Sequence, residues 1–305
     1  MPKLYDCIII GGGPSALAAS IYLARQKVNF AIITKDIGGQ TLLSSDVENY
    51  LGYHFMKGSE LVEQFRTHIA DYKIEVHEGT EVLKILKKKV FTVKTKKQDY
   101  KTKTVLVATG KQPKKLNVPG EKEFYGRGVT YCATCDAPLF AGKEVIVVGG
   151  GNSAMDAALL LEKYCKKVSI LTINPELKGD AILLQKIKKS SRIKIITNSK
   201  TKKIVGNKFV SAINYAQNGI EKEIKTQGVF VEIGLVPSSQ MINFVKKNKW
   251  EEIIVNKENM TSVKGVFAAG DVTDICEKQI IVAAGEGAKA ALDIIKYLNM
   301  EIEYY

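Results

Sequence analysis

Cys132 and Cys135 stand two residues apart, with Asp136 directly after them and a glycine-rich turn shortly downstream. Two thiols at this spacing cycle between dithiol and disulfide, and at the start of a helix the peptide dipole lowers a thiolate pKa. Asp136 is placed to supply a proton beside them. A structural zinc site would need a second Cys or His pair, whereas Cys7, Cys165 and Cys276 are scattered singly, so no metal is expected. A lone Cys-x-x-Cys is a moderate signal, and its weight here comes from what flanks it.

Upstream, Tyr5-Asp6-Cys7-Ile8-Ile9-Ile10 has the continuous apolar pattern of a buried parallel strand. It breaks into Gly11-Gly12-Gly13-Pro14-Ser15-Ala16, and Ala18 to Ala24 reads as a helix packed on that strand. Glycines at this spacing let a pyrophosphate approach the backbone at the helix N-terminus. The same device returns downstream of the cysteines. Glu144 to Val148 forms the strand, Gly149-Gly150-Gly151-Asn152-Ser153-Ala154 the turn, and Met155 to Leu160 the helix. Strand, turn and helix in this order meet the structural context that a bare glycine motif lacks, so two dinucleotide sites are expected. Lys103 to Ala108 is a further buried strand, ending at Thr109-Gly110, and Gly265 to Val272 is another that closes on Asp271 and returns the chain to the first domain.

The chain of 305 residues holds two cores and has no long apolar segment. Met1 to Leu4 run straight into the first strand and leave no room for a signal peptide, so the cytoplasm is the expected compartment. An odd number of cysteines in a reducing compartment favours a catalytic pair over a structural framework. The net charge of +13 is spread over separated lysine clusters without interleaved aromatics, which argues against nucleic acid. A basic surface still speeds docking of an acidic protein partner. His54, His68 and His77 sit in no catalytic pattern and are expected at the surface or in packing.

The sequence CATCD between two glycine fingerprints, with GGQ at 38–40, VENYLG at 47–52, ATG at 108–110 and AAGDV at 268–272, resembles the bacterial and archaeal low-molecular-weight thioredoxin reductases over nearly the whole chain. GVTYC at 128–132, PLF at 138–140, NPELKGD at 174–180 and KQIIVAAGEGAKA at 278–290 resemble the reductase portion of the alkyl hydroperoxide reductase flavoprotein. The resemblance implies an α/β fold of two Rossmann-like, three-layer dinucleotide-binding domains, the second inserted into the first. The FAD domain is expected at 1–112 and 245–305, and the nicotinamide domain, carrying the cysteines, at 113–244.

The resemblance also implies roles. FAD would be held by Gly11, Gly13, Pro14, Ala16, Thr34, Lys35, Gly39, Gln40, Asn49, Val82, Thr109, Gly110, Asp271, Gln279 and Ile280. Asp271 serves equally as a helix N-cap, and Gln40 and Asn49 as turn formers. The nicotinamide nucleotide would meet Gly149, Gly151, Asn152, Ser153, Ala154, Thr172 and Glu176. Electrons would pass from NADH or NADPH through FAD to the disulfide, with Cys135 nearer the flavin, Cys132 attacking the partner and Asp136 protonating the departing thiolate. The partner would be a thioredoxin- or glutaredoxin-like protein, and the assembly a homodimer. The strand Val168 to Thr172 is followed by Asn174, Pro175, Glu176, Leu177 and Lys178, without the arginines that clamp a 2′-phosphate, which favours NADH. Asp36 is the candidate acid for the FAD ribose. A ferredoxin-linked reductase of the same architecture and a flavoprotein sensor without turnover are the alternatives. The intact second glycine turn weighs against the ferredoxin-linked reductase.

Overall fold

The computed structural model describes residues 3–44 and 47–302. The chain forms two compact units, one built from the segments Met1–Gln112 and Val236–Tyr305, the other from Pro113–Leu235. Each is a Rossmann-like α/β domain, and the second is an insertion in the first. The chain rejoins the first unit at 236, earlier than the 245 expected from sequence. The reason is that Ile242 is buried in the first unit's core, and the carbonyls of Ser238 and Met241 accept hydrogen bonds from Thr109 and Ile85 of that unit.

The first unit is organised by the strand Leu4–Ile10, which pairs in parallel with Phe30–Ile33 on one side and with Asp99–Val107 on the other. Its side chains alternate between two cores, as the pleat of a strand requires. Cys7 and Ile9 face Ala16, Leu17, Ala19 and Leu23 of the helix Pro14–Arg25 and Ala290, Ala291 and Ile294 of the helix Ile280–Ile302. Ile8 and Ile10 face Phe91, Val93, Ile242 and Ile253. The strand Asp99–Val107 changes character along its length. Its first half alternates exposed and buried and pairs antiparallel with Phe91–Thr95, while its last four residues are all buried and the last three of them pair in parallel with Val266–Ala268. The change from alternating to continuous apolar residues marks where the strand becomes covered on both faces.

The second unit repeats the scheme. A five-stranded parallel sheet has the order Ile193–Ile196, Lys167–Leu171, Glu144–Val148, Gly228–Val231, Val129–Thr130. Val145 and Val147 face the helix Asn152–Glu162 through Ala154, Met155, Ala158 and Leu161. Ile146 and Val148 face the other way, onto Ile204, Ile213 and Tyr215 of a three-stranded antiparallel sheet formed by Ser199–Gly206, Val210–Gln217 and Ile220–Lys225. Helices on one face and an antiparallel sheet on the other give three layers.

Candidate active site

The cysteine pair opens the short helix Ala133–Asp136, with Cys132 as an extended N-cap. Cys132 and Cys135 are joined in a disulfide, their Cα atoms 5.4 Å apart. The Cys132 sulfur also accepts the N–H of Cys135 at 3.0 Å, so it lies where the first-turn donors of the helix stabilise negative charge. Cys135 is exposed and Cys132 half-buried. Asp136 follows within the same turn, and a buried hydroxyl holds it there. Thr130 ends the edge strand Val129–Thr130; its Oγ1 donates to Asp136 Oδ2 at 2.5 Å and accepts the Cys132 N–H at 3.1 Å. One side chain thus ties both the N-cap cysteine and the acid to the sheet. Between them Tyr131 donates to the buried Glu121 at 2.8 Å, and burial and that carboxylate push the phenol above its usual range. Glu121 also accepts the N–H groups of Leu116 and Asn117, at 2.7 and 2.6 Å. The remaining cysteines differ in kind. Burial raises the thiols of Cys7 and Cys165 to about 12 and about 11, which leaves them unreactive at neutral pH.

In the first glycine turn Gly11 has φ +122°, and a Cβ there would lie 2.2 Å from the Ala108 carbonyl oxygen, so only glycine fits. Gly13 differs, because a Cβ at this N-cap would meet nothing within 4 Å, and no side chain caps the helix that starts at Pro14. Ala16 is buried in the core. Thr34 is buried and donates to the Asp36 carbonyl at 2.6 Å, while the Asp36 carboxylate accepts the Gly39 N–H at 3.1 Å and so supports the turn carrying Gly39 and Gln40. Lys35 is paired with Glu81 at 2.8 Å. Val82 is buried at the start of the strand Val82–Leu86, opposite Thr95. Gln40 donates to the Lys111 carbonyl at 2.9 Å, and Asn49 to Gln279 Oε1 at 3.0 Å, which brings the start of the last helix and the Asn49 loop together beside Ile280. Thr109 donates to the Ser238 carbonyl at 2.5 Å, next to Gly110. Asp271 lies in the turn Gly270–Val272; burial raises its carboxyl, and Lys278 and Lys111 pull against that. Both lysines also bind Glu252, at 3.3 and 2.9 Å. Glu252 and these two lysines were not singled out from sequence, since they come from three distant segments with no shared motif.

The second turn follows the same rules. A Cβ on Gly149 would lie 2.1 Å from the Glu232 carbonyl oxygen, and Gly151 is an N-cap without a capping side chain. Ser153 lies in the first turn of this helix, exposed, and Ala154 is buried against the strand. Asn152 accepts the Asp180 N–H at 2.9 Å and thereby anchors the loop after Thr172. Thr172 is buried, with its hydroxyl accepting the Asn174 N–H at 3.2 Å, and Glu176 is exposed on that loop. Glu232, which sequence reading passed over, follows the apolar strand Gly228–Val231 as an acid just past its end.

Both turns fit a dinucleotide. In each, a strand delivers a glycine against its neighbour's backbone, and the following helix opens with first-turn N–H groups that no side chain caps. A phosphate is held by such donors. The open space at Gly13 and the half-buried acid at Asp271 fit FAD at the first turn, and the uncapped start of the helix at Gly151 fits a nicotinamide nucleotide at the second. Among the described residues no group of three or more His, Cys, Asp or Glu is arranged to hold a metal ion.

Comparison with known proteins agrees with this geometry. Residues 5–287 match the pyridine nucleotide-disulphide oxidoreductase family. An NADH dehydrogenase of Bacillus subtilis is 39% identical over 96% of this chain and 58% of its own length. An alkyl hydroperoxide reductase component of Staphylococcus epidermidis is 38% identical over 96% of this chain and 59% of its own. The chain therefore spans a little under three fifths of these curated relatives. Thioredoxin reductase from T. acidophilum superposes with a TM-score of 0.86 at 39% identity, covering 98% of this chain and 99% of that one. With a disulfide at a helix start and two uncapped glycine turns, this chain belongs to the pyridine nucleotide-disulphide oxidoreductases, as a thioredoxin reductase-like flavoprotein with a redox-active Cys132–Cys135 pair.

Proposed function

We propose that this protein is a disulfide reductase that takes electrons from a nicotinamide nucleotide, NADH in preference to NADPH, and delivers them through Cys132 and Cys135 to a thioredoxin- or glutaredoxin-like protein. The observation that carries the proposal is the Cys132–Cys135 disulfide at a helix N-terminus, beside Asp136 and in the same unit as the second glycine turn. When bound, FAD supplies two-electron transfer between a nicotinamide hydride and a disulfide. The chain does the rest. Two electrons break the S–S bond, Asp136 hands a proton to one departing sulfur, and the helix dipole stabilises the thiolate left at Cys132. That thiolate attacks one sulfur of the partner's disulfide and displaces the other as a thiolate. Cys135 then attacks Cys132 in the mixed disulfide, releasing the reduced partner and restoring the Cys132–Cys135 bond.

The preference for NADH rests on the loop after Thr172, where Asn174, Glu176 and Lys178 offer no bidentate clamp for a 2′-phosphate. Gly13, Gln40, Asn49, Asp271 and Gln279 are assigned to the flavin on the placements described above. The protein is further proposed to act in the cytoplasm as a homodimer. Among the described residues no helix is long and apolar enough to cross a membrane. The deciding experiment is anaerobic titration of the flavin-loaded protein with NADH and, separately, NADPH, followed by oxidised thioredoxin. Bleaching by NADH and recovery on adding thioredoxin is the expected result. Bleaching by dithionite alone would replace the nicotinamide with another donor, such as a ferredoxin.

A further inference from the structure

The two glycine turns match down to individual hydrogen bonds. In the first unit the Gly11 N–H donates to the Ile33 carbonyl at 2.9 Å, and the Ala108 N–H to the Ile10 carbonyl at 2.8 Å. In the second the Gly149 N–H donates to the Leu171 carbonyl at 3.0 Å, and the Glu232 N–H to the Val148 carbonyl at 2.7 Å. The carbonyl that blocks a Cβ on the first glycine belongs to Ala108 in one turn and to Glu232 in the other. Ala108 and Glu232 therefore occupy equivalent places, each just past the end of the strand beside the glycine turn. In each sheet this is the point where strand order reverses, and the crevice at such a point receives the ligand.

The two places differ in charge. Ala108 is small, apolar and buried. Glu232 is a carboxylic acid that no hydrogen bond or ion pair among the described residues engages. The charged group acting on it is another acid, Asp156 on the helix Asn152–Glu162, which in turn faces Asp180 and Lys186 at the start and along the body of the helix Ala181–Lys189. We infer that, granted the nicotinamide reading above, Glu232 sets the affinity of the second glycine turn for its nucleotide, admitting the pyrophosphate when neutral and repelling it when ionised. Burial and Asp156 push the Glu232 carboxyl up to about 7, so the change of charge falls near neutral pH. A bound pyrophosphate raises the carboxyl further, so above that pH binding takes up a proton and weakens.

The test is calorimetric titration of the flavin-loaded protein with NAD+, which leaves the flavin unreduced, in buffers of differing ionisation heat. For the native protein the dissociation constant should rise about threefold between pH 6 and pH 8, the effect of a bound-state pKa raised by somewhat under one unit, with proton uptake at the upper pH. Glu232→Gln, and Glu232→Ala in imitation of the first unit, should hold the pH 6 affinity throughout and take up no proton. Equal pH dependence in native protein and variants overturns the inference while leaving the nicotinamide reading intact. So does binding that tightens with pH and weakens in Glu232→Gln, which would make the carboxylate an acceptor for ribose hydroxyls. Absence of NAD+ and NADP+ binding to all three proteins at pH 6 overturns both.

Discussion

Thr130 shows how little separates a cysteine pair from a working redox centre. Its hydroxyl has one proton, given to Asp136, and accepts the Cys132 N–H, so the acid and the N-cap cysteine are held by the same atom. That bond holds the Asp136 carboxyl beside the sulfurs and contributes about 1 kcal/mol, so Thr130→Val should slow reduction of the disulfide by roughly fivefold, and Thr130→Ser should restore it. Stopped-flow reoxidation of the pre-reduced flavin by the internal disulfide reads this directly, and a Ser variant as slow as the Val variant would reduce Thr130 to packing. At the cysteines, Cys135→Ser should abolish reduction of the partner while nicotinamide still reduces the flavin. Retained partner turnover in that variant would remove the pair from the pathway. Thr130 carried a sequence signal only in its place two residues before Cys132, and threonine there reads equally as a strand former.

The strand–turn–helix elements separate two demands that the sequence runs together as a string of glycines. Gly11 is required by the fold itself, because its Cβ would overlap the Ala108 backbone. Gly11→Ala should therefore destabilise the first unit by about 3 kcal/mol, from strain at positive φ and forced displacement of a strand end. Gly13 meets no such demand from the fold, and on the proposed function its place is kept open for the flavin nucleotide. Gly13→Ala meets no protein atom, so urea unfolding of the flavin-free protein should be unchanged while flavin content after purification falls. Loss of stability in both variants, or in neither, would contradict this division. These elements were legible in advance because a buried strand, a glycine turn and a helix are contiguous. The function of each glycine was not, because it depends on atoms about a hundred residues away.

At the scale of the molecule, charge is the dominant departure from the ordinary. A net charge of +13 predicts faster encounter with an acidic partner at low ionic strength. The kcat/KM for an acidic thioredoxin should fall several-fold between roughly 20 and 200 mM salt, a range over which the Debye length shrinks about threefold. Reduction of a neutral small disulfide should not change. Glu232 adds a stability term of known sign. Its folded pKa is raised above the unfolded carboxylate value, so the folded state binds the extra proton, and stability is lost as pH climbs from about 4.5 through about 7. Glu232→Gln should be more stable than the native protein at pH 8, on the order of 2 kcal/mol, and equal to it near pH 4, as read by thermal unfolding. A constant difference across that range would mean the acid titrates normally.

Read alone, the sequence determined the two dinucleotide-type turns, the redox pair and the order of units along the chain. These follow from short-range rules: apolar runs of strand length, glycines where a Cβ cannot stand, and two thiols close enough to bond. Tertiary structure decided what those rules cannot reach. It returned the chain to the first unit at 236 instead of 245, because Ile242 completes that unit's core and the Ser238 carbonyl accepts the Thr109 hydroxyl. It gathered Lys111, Glu252 and Lys278 around Asp271, and it set Glu232 against a glycine turn more than eighty residues earlier. The physical reason is that parallel sheets join strands distant in sequence. The residues at their carboxyl ends, where ligands bind, become neighbours only when the sheet is assembled.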